Sequence, residues 1–357
     1  MPSSLARDAA RLFCVGFSGT APPDELSELV RRGVRSLILF SRNLGEPVEV
    51  AELSRQLKSL SAEPLGLFVD QEGGKVQRLK QGFTSIPPMR KLGRLNDLEL
   101  SFRTGRVIGR ELRAVGIDVS FAPVLDVDTN PDNPVIGDRA FSNDPDVVAR
   151  LGCALARGLM ASGVGACAKH FPGHGDTDLD SHLALPRLSH SLERIRAVEL
   201  VPFRAAVAAG IPAVMSAHVL FSALDPKWPA TLSSAVLGLL RDELGFGGLL
   251  ISDDSEMRAL TDHFGLEEAV VRGIGAGVDL FLVCHTPSRA ALGIEAVVRA
   301  VESGALPRHR VTEARERVEA FLARFAAPAG SGSNLSVLRS PEHLALAAEL
   351  GKDAPAE

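Results

Sequence analysis

The stretch "KHFPGHGDTDLDSH", from Lys169 to His182, is one of the densest groups of reactive side chains in the sequence. It contains three histidines, three aspartates and a lysine. These are side chains that can transfer a proton or bind a metal ion. The stretch could be a metal site, a general acid/base device or a polar surface loop. The spacing of its side chains helps to distinguish these three explanations.

The spacing argues against the common metal sites. His170 and His174 are four residues apart, as in a helical zinc motif, but the Pro-Gly pair at 172–173 disfavours a helix. The three aspartates follow the opening of a calcium-binding loop, which then requires Gly at position six and Glu at position twelve. Ser181 and Arg187 occupy those positions. We therefore predict no metal and no cofactor, and only a metal site of unusual design stays open.

Asp180 and His182 have the spacing for acid/base chemistry. In an extended loop, residues two apart point the same way, so the carboxylate could bond one ring nitrogen and raise the basicity of the other. A histidine held in this way can give and take a proton near neutral pH. An isolated Asp-x-His pair is more often a hydrogen bond within a surface loop, and the spacing alone favours that simpler explanation.

Lys169, His170 and Asp253 differ from loop residues because each lies at the end of an apolar, strand-like run. A charge at such a point is costly unless it meets an opposite charge or a ligand. Asp253 is therefore either the partner of a structural ion pair or a catalytic carboxylate, and we favour catalysis. Lys169 and His170 are expected to face a ligand or a carboxylate.

Eight apolar runs of this kind recur along the chain, separated by segments with helical periodicity. The runs cover residues 12–17, 36–40, 65–70, 118–124, 165–171, 212–219, 247–254 and 278–284. Near-continuous apolar strands indicate a parallel sheet covered by helices. Eight β-then-α units predict the α/β class and a single (β/α)8 TIM-type barrel with a short C-terminal tail. The alternative is an open doubly wound sheet, but "VGFSGT" after the first strand lacks its GxGxxG turn.

Reactive residues cluster at the C-terminal ends of five of these runs. The third run ends in Asp70, the fifth in Lys169 and His170, and the seventh in Asp253. In a barrel, these strand ends converge on one mouth, where the active site lies. A carboxylate and a separate proton donor at that mouth are the minimal groups of a retaining glycosidase.

Composition sets the class of protein and excludes some partners. The chain has 357 residues, 45% apolar and 23% charged, with a net charge of −5. We expect a globular protein that binds no nucleic acid and no membrane, and, from the absence of a signal-peptide pattern, a cytoplasmic location. We expect the catalytic barrel to cover residues 1–327, and residues 328–357 to form a linker and a short C-terminal helix or tail.

Seven motifs, in this order, resemble the β-N-acetylglucosaminidases of glycoside hydrolase family 3, the single-domain bacterial enzymes of peptidoglycan recycling. They are "DQEGGKVQR", "FAPVLDVD", "NPVIGDRAFS", "KHFPGHGDTDLDSHLALP", "SAHV", "PATLS" and "SDDSEM", and they span roughly residues 10–325. The long Lys-to-His motif is the most specific, and its Asp-Ser-His ending separates these enzymes from the β-glucosidases of the family.

The resemblance implies roles for individual residues. It implies that Asp253 is the nucleophile and that His182 is the general acid/base, with Asp180 as its partner. It implies that the sugar ring is held by Asp70, Arg78, Arg139, Lys169 and His170. Lys75, where Arg is expected, and Ser255, where Leu is expected, depart from the family pattern without removing a proposed catalytic group.

The resemblance also implies the reaction and the partner. The enzyme would remove terminal non-reducing N-acetylglucosamine from peptidoglycan-derived muropeptides, where this sugar is β-linked to 1,6-anhydro-N-acetylmuramic acid, with or without a peptide. It would retain configuration through a covalent glycosyl–enzyme intermediate, as a monomer. A phosphorylase that uses the same site with phosphate in place of water, and a non-catalytic sugar-binding barrel, are the alternatives.

Overall fold

A computed structural model describes residues 3–181, 183–331 and 334–352, and its centre is a closed barrel of eight parallel strands. The strands are β1 Phe13–Val15, β2 Ser36–Leu39, β3 Gly66–Val69, β4 Val119–Ser120, β5 Gly165–Phe171, β6 Ala213–Ser216, β7 Leu249–Asp254 and β8 Leu280–Val283. Each strand pairs with the next along the chain, and β8 pairs with β1. Each predicted run contains one strand, which confirms the (β/α)8 barrel and shows that the doubly wound alternative is wrong.

Helices surround the barrel. They are α1 Ser4–Arg11, α2 Asp24–Arg32, α3 Pro47–Ser59, α4 Met89–Leu95, α5 Leu98–Ala114, α6 Pro145–Ala161, α7 Leu192–Ala197, α8 Leu200–Ala208, α9 Ser234–Gly238, α10 Arg258–Thr261, α11 Leu266–Ala276, α12 Pro287–Glu302, α13 Arg308–Phe325 and α14 Pro341–Leu350. Side chains cap several N-termini, for example Asp97 on α5 and Asp144 on α6, which is followed by Pro145. No helix in the described ranges is both long and apolar enough to cross a membrane.

The barrel interior is apolar at the end opposite the C-terminal strand ends. Helix α13 closes that end: the ring of Phe321 stacks on Phe68 of β3 with ring centroids 6.2 Å apart. Side chains of α13 pack directly against Gly66 and Gly165. A Cβ atom would lie 2.6 Å from Leu322 at Gly66 and 2.9 Å from Phe321 at Gly165, so both positions need glycine. The closed end leaves the other mouth of the barrel as the opening for a ligand.

Two short two-stranded sheets lie outside the barrel. An antiparallel pair joins Gln71–Gly73 to Val76–Gln77 directly after β3, and a parallel pair joins Arg187–Leu188 to Leu220–Phe221. The first pair forms a hairpin, residues 71–77, at the C-terminal mouth. It places the residues on both sides of the turn beside the ends of the barrel strands.

The C-terminal segment packs on the barrel. Helix α14 contacts α5, and the side chain of His343 is fully buried against Glu111. Arg110 and Arg103 of α5 form further ion pairs with α14, both at the protein surface. The predicted C-terminal helix therefore exists and is docked.

Candidate active site

A cavity of about 420 Å³ opens at the C-terminal mouth of the barrel, a volume typical of small-molecule sites. Six of the eight predicted site residues line it: Asp70, Arg78, Arg139, Lys169, His170 and Asp253. They come from β5, β7 and the loops that follow β3 and β4. The structure therefore brings together side chains that the sequence separates by more than 180 residues.

Lys169 is the centre of a buried ion network. Its Nζ lies 2.7 Å from Asp70 Oδ1 and 2.5 Å from Glu72 Oε1, and its side chain is only 3% exposed. Burial lowers the pKa of Lys169, but attraction to Asp70 and Glu72 outweighs that effect and leaves the pKa above its ordinary value. Lys169 is therefore a cation over the whole range of physiological pH.

Glu72 joins Lys169 to Arg139. The guanidinium of Arg139 donates two hydrogen bonds to this carboxylate, of 2.9 and 2.8 Å. Burial raises the pKa of Glu72, but the charges of Arg139 and Lys169 outweigh burial, so the pKa is well below the usual range. Sequence analysis did not single out Glu72, although it lies two residues after Asp70 in "DQEGG", on the same face of an extended segment.

The hairpin at residues 71–77 positions Arg78. The amide side chain of Gln71 accepts hydrogen bonds from the backbone N–H groups of Arg78 and Leu79, at 2.9 and 3.0 Å. Arg78 Nη2 lies 3.6 Å from Asp70 Oδ2. Its buried Nε has no hydrogen-bond partner within residues 3–181, 183–331 and 334–352, and is therefore a donor available to a ligand.

Asp126, in the loop that follows β4, sets the orientation of His170. Its Oδ2 lies 2.7 Å from His170 Nδ1, and its Oδ1 accepts the backbone N–H of His174 at 2.7 Å. Burial raises the pKa of Asp126, but the neighbouring histidines and their hydrogen bonds outweigh burial and lower it. Because Asp126 engages Nδ1, a ligand in the cavity meets Nε2. Sequence analysis missed Asp126, although the motif "FAPVLDVD" contains it.

Asp253 and Asp254 both line the cavity, but their surroundings differ. Asp254 Oδ1 accepts the backbone N–H groups of Glu256 and Cys284, at 3.0 and 3.3 Å, and Oδ2 lies 3.3 Å from His285 Nε2. These contacts tie the end of β7 to the end of β8. Asp253 Oδ1 accepts the backbone N–H of Asp254 at 2.8 Å, which fixes the direction of the Asp253 carboxylate. Of the two, Asp253 is the better candidate for a reactive group.

Two neighbours support the end of β7. His218 is buried, with Nε2 3.0 Å from the carbonyl oxygen of Asp254 and Nδ1 2.8 Å from Thr231 Oγ1. Burial lowers the pKa of His218, so this ring is neutral at pH 7 and acts as a support. Ser255, the departure noted above, donates its hydroxyl to the carbonyl oxygen of Leu282 at 2.6 Å.

The second departure, Lys75, lies outside the ion network. Its side chain is half exposed, with Nζ 4.0 Å from Asp138 Oδ1. An exposed ion pair of this kind contributes little to stability. Lys75 thus replaces an expected Arg at the rim of the hairpin.

The loop after β5 carries the predicted proton-transfer pair. Asp180 is half-buried in this loop, next to Ser181, which is buried and lines the cavity. His182 lies outside the described residues. His174 anchors the loop: its Nδ1 lies 2.7 Å from Thr177 Oγ1, and its Nε2 lies 3.1 Å from Ser181 Oγ. Burial lowers the pKa of His174 to about 4, so it is a neutral hydrogen-bonding group at pH 7.

An aromatic and cationic rim that sequence analysis missed borders the cavity. The rings of Phe40 and His285 stack with centroids 5.7 Å apart, and the Arg42 guanidinium lies 4.5 Å from the Phe40 centroid. These residues follow β2 and β8, so their positions at strand ends were the available signal. Among the described residues, no group of three or more His, Cys, Asp or Glu side chains could hold a metal ion.

Comparison with known proteins identifies the family of this chain. A family model described as the glycosyl hydrolase family 3 N-terminal domain matches residues 8–321. A β-hexosaminidase of Thiobacillus denitrificans is 45% identical over 264 residues, covering 72% of this chain and 73% of that protein. A β-hexosaminidase of Nitrosomonas eutropha is 42% identical, also over 264 residues, covering 72% of this chain and 75% of that protein.

Two solved structures are also similar. A family 3 β-N-acetylglucosaminidase from Paenibacillus sp. superposes with a TM-score of 0.92 at 42% identity, over 98% of this chain and 68% of that one. NagZ from Neisseria gonorrhoeae, in complex with N-trifluoroacetyl-D-glucosamine, has a TM-score of 0.79 at 32% identity, over 95% and 96%. With a family model that matches most of its length and relatives of this identity, the chain belongs to glycosyl hydrolase family 3 and is a glycoside hydrolase.

Proposed function

We propose that this glycoside hydrolase removes terminal non-reducing β-linked N-acetylglucosamine from peptidoglycan fragments. The observation that carries the proposal is the single cavity in which Asp253 faces the ion network of Asp70, Glu72, Lys169 and Arg139. The relatives named β-hexosaminidase or β-N-acetylglucosaminidase support this sugar as the substrate.

The ion network explains how a neutral sugar can be held firmly. Asp70 and Lys169 are already paired, so their charges are compensated before the sugar arrives. Their remaining lone pairs and protons can still bond hydroxyl groups, and such charge-assisted hydrogen bonds are stronger than neutral ones. Arg78 Nε and His170 add further polar groups at the same cavity. A preorganised set of this kind orients the anomeric carbon toward Asp253.

The proposed mechanism has two steps with retention of configuration. The Asp253 carboxylate attacks the anomeric carbon, and the C–O bond to the leaving group breaks while His182 gives its proton to the leaving oxygen. His182 then takes a proton from water, which attacks the anomeric carbon and releases Asp253. Asp180 stabilises the imidazolium form of His182 and orients its ring.

Substrate selectivity is the first test of the proposal. We expect kcat/KM for an aryl β-N-acetylglucosaminide to exceed that for the matching aryl β-glucoside by at least about a hundredfold. Release of N-acetylglucosamine from its disaccharide with 1,6-anhydro-N-acetylmuramic acid, with and without a peptide, tests the peptidoglycan substrate. Equal rates on the two aryl glycosides would overturn the sugar assignment.

The anomer and the acceptor test the mechanism. NMR of the first product should show the β-anomer, and trapping with a 5-fluoro N-acetylglucosaminyl fluoride should add the mass of the sugar to a peptide that contains Asp253. In added phosphate, N-acetylglucosamine should still be the main product, whereas a dominant sugar 1-phosphate would make the enzyme a phosphorylase.

We further propose a cytoplasmic, metal-independent monomer, so activity should survive EDTA and the protein should elute at the mass of one chain.

A further inference from the structure

The C-terminal helix α14 is attached to the barrel by a buried hydrogen bond between His343 and Glu111. His343 is fully buried, and its Nδ1 lies 2.8 Å from Glu111 Oε1 of helix α5. A terminal helix that only covers apolar surface needs no such bond, and a buried carboxylate is costly unless it is hydrogen-bonded. The contact therefore points to a role for Glu111 beyond packing.

Glu111 is the centre of a complete hydrogen-bond set. Besides His343, its carboxylate accepts the backbone N–H of Thr84 at 2.9 Å, the Thr84 hydroxyl at 2.6 Å and the backbone N–H of Arg339 at 3.0 Å. Burial raises the pKa of Glu111, but these hydrogen bonds, led by that of His343, outweigh burial and lower it. One ionised carboxylate thus joins the C-terminal segment to the segment that follows the hairpin.

The connection continues from Thr84 to the residues of the cavity. The carbonyl oxygen of Thr84 accepts the side-chain amide of Gln77 at 3.0 Å, and Gln77 Oε1 accepts the backbone N–H of Ile86 at 3.0 Å. Gln77 precedes Arg78 and pairs with Gln71, which lies between Asp70 and Glu72. The hairpin that presents these groups is therefore held from outside the barrel by Thr84 and Glu111.

We propose that α14 is a positioning element for the sugar-binding hairpin, acting through His343 and Glu111. His343 and Glu111 are positioning residues, since neither lines the cavity. When α14 is docked, the hydrogen bonds to the Glu111 carboxylate are complete, and Glu111 holds Thr84 in place. Thr84 in turn positions the hairpin side chains that would meet the sugar. The inference deepens the proposed function and rests on it for the identity of the bound sugar.

Helix α14 also offers a matched control. Glu342, the residue before His343, forms an ion pair of 2.8 Å with Arg110 of α5. That pair is exposed, and among residues 3–181, 183–331 and 334–352 it makes no hydrogen bond or ion pair with Thr84 or the hairpin, so it contributes to docking without touching the connection. Comparing Glu342→Ala with His343→Ala therefore separates loss of a helix contact from loss of the link to Glu111.

Kinetics on an aryl β-N-acetylglucosaminide with the full chain test the inference. We expect His343→Ala to raise KM about fivefold with kcat within about twofold of wild type, the scale at which a residue off the ligand modulates binding. Glu342→Ala should match wild type. In His343→Asn, the amide N–H can take the place of Nδ1–H, so KM should return most of the way to the wild-type value. This variant provides the test if His343→Ala fails to fold.

Hydrogen exchange gives a second measurement that needs no substrate. In His343→Ala, amides of residues 71–79, including those of Arg78 and Leu79, should exchange several-fold faster, while β7 keeps its protection. Unchanged exchange in this segment, or an unchanged KM in an active variant, would overturn the inference. A wild-type enzyme inactive on N-acetylglucosaminides would instead overturn the proposed function, and the exchange experiment would still decide the connection.

Discussion

The two sides of the cavity are built differently. On one side, Lys169 and Glu72 are almost fully buried and joined by direct ion pairs, so the groups that would hold the sugar are fixed before it binds. On the other side, the loop after β5 carries Asp180 between exposed residues, Leu179 and Leu183, the latter 64% exposed. In the proposed mechanism, sugar binding therefore falls to the buried side and proton transfer to the more exposed loop.

The largest expected effect comes from Asp253, which lines the same cavity as the buried ion network. Asp253→Asn keeps the shape of the side chain and its bond to the next backbone amide but removes the nucleophilic charge. We expect kcat to fall by about four orders of magnitude with the fold intact, as when a nucleophile is removed from other hydrolases. In Asp254→Asn, the fall in kcat should be at least about tenfold smaller than in Asp253→Asn, because the Asp254 carboxylate contacts backbone amides. Steady-state kinetics and circular dichroism check both, and a loss below about tenfold in Asp253→Asn would remove it as nucleophile.

Glu72→Gln tests whether ion pairs stabilise the side of the cavity around Lys169. The amide cannot compensate two buried cations, Lys169 and Arg139, so we expect a loss of about 4 kcal/mol in the free energy of unfolding. Glu52→Gln is the control: Glu52 pairs with Arg55 at the surface, so this variant should lose far less stability than Glu72→Gln. Urea unfolding measures both. Equal losses would show that the ion network contributes no more than a surface pair.

The contrast between the two sides also explains how far sequence could predict the molecule. The barrel was predictable because each strand is a short apolar run, and the site was predictable because reactive residues end those runs. Glu72 and Asp126 were missed because their role depends on which cation or ring faces them across the mouth. That choice is made by packing between residues such as Glu72 and Arg139, which are 67 apart in the chain.

Docking of the C-terminal helix was beyond prediction for the same reason. The sequence indicates a short helix or tail within residues 328–357, but its apolar residues do not specify which barrel helix they meet. The partner of His343 is Glu111, 232 residues earlier, and nothing in the local pattern of either helix marks the pair. Pairing of polar groups across long sequence separations is therefore what the structure adds.

The loop side is tested through the leaving group. His182→Ala should slow hydrolysis of a disaccharide, whose leaving alcohol needs a proton, by about a hundredfold. For an aryl glycoside with an acidic phenol, kcat/KM, which reports the first step alone, should fall by less than about fivefold, because that leaving group departs without protonation. Azide, added as a substitute nucleophile, should then speed turnover of the aryl substrate in the variant alone. Equal slowing of both substrates would contradict the acid role of His182.

His174 lies where the two sides meet, and its pKa predicts the smallest effect. The folded-state pKa of about 4 is below the ordinary 6.5, so as pH falls through this window the unfolded chain takes up a proton that the folded protein does not. The contribution of His174 to stability is complete above about pH 6.5, and about 2 kcal/mol of it is lost between pH 7 and pH 5. Glutamine does not titrate, so between pH 7 and pH 5 the free energy of unfolding of His174→Gln should fall by about 2 kcal/mol less than that of the wild type. Urea unfolding at both pH values measures this difference. Because Gln can still bond Thr177 and Ser181, activity at pH 7 should change far less than in His182→Ala. An unchanged pH dependence of stability would mean that His174 is protonated in the folded protein, and that the loop is anchored by a cation and not by a neutral ring.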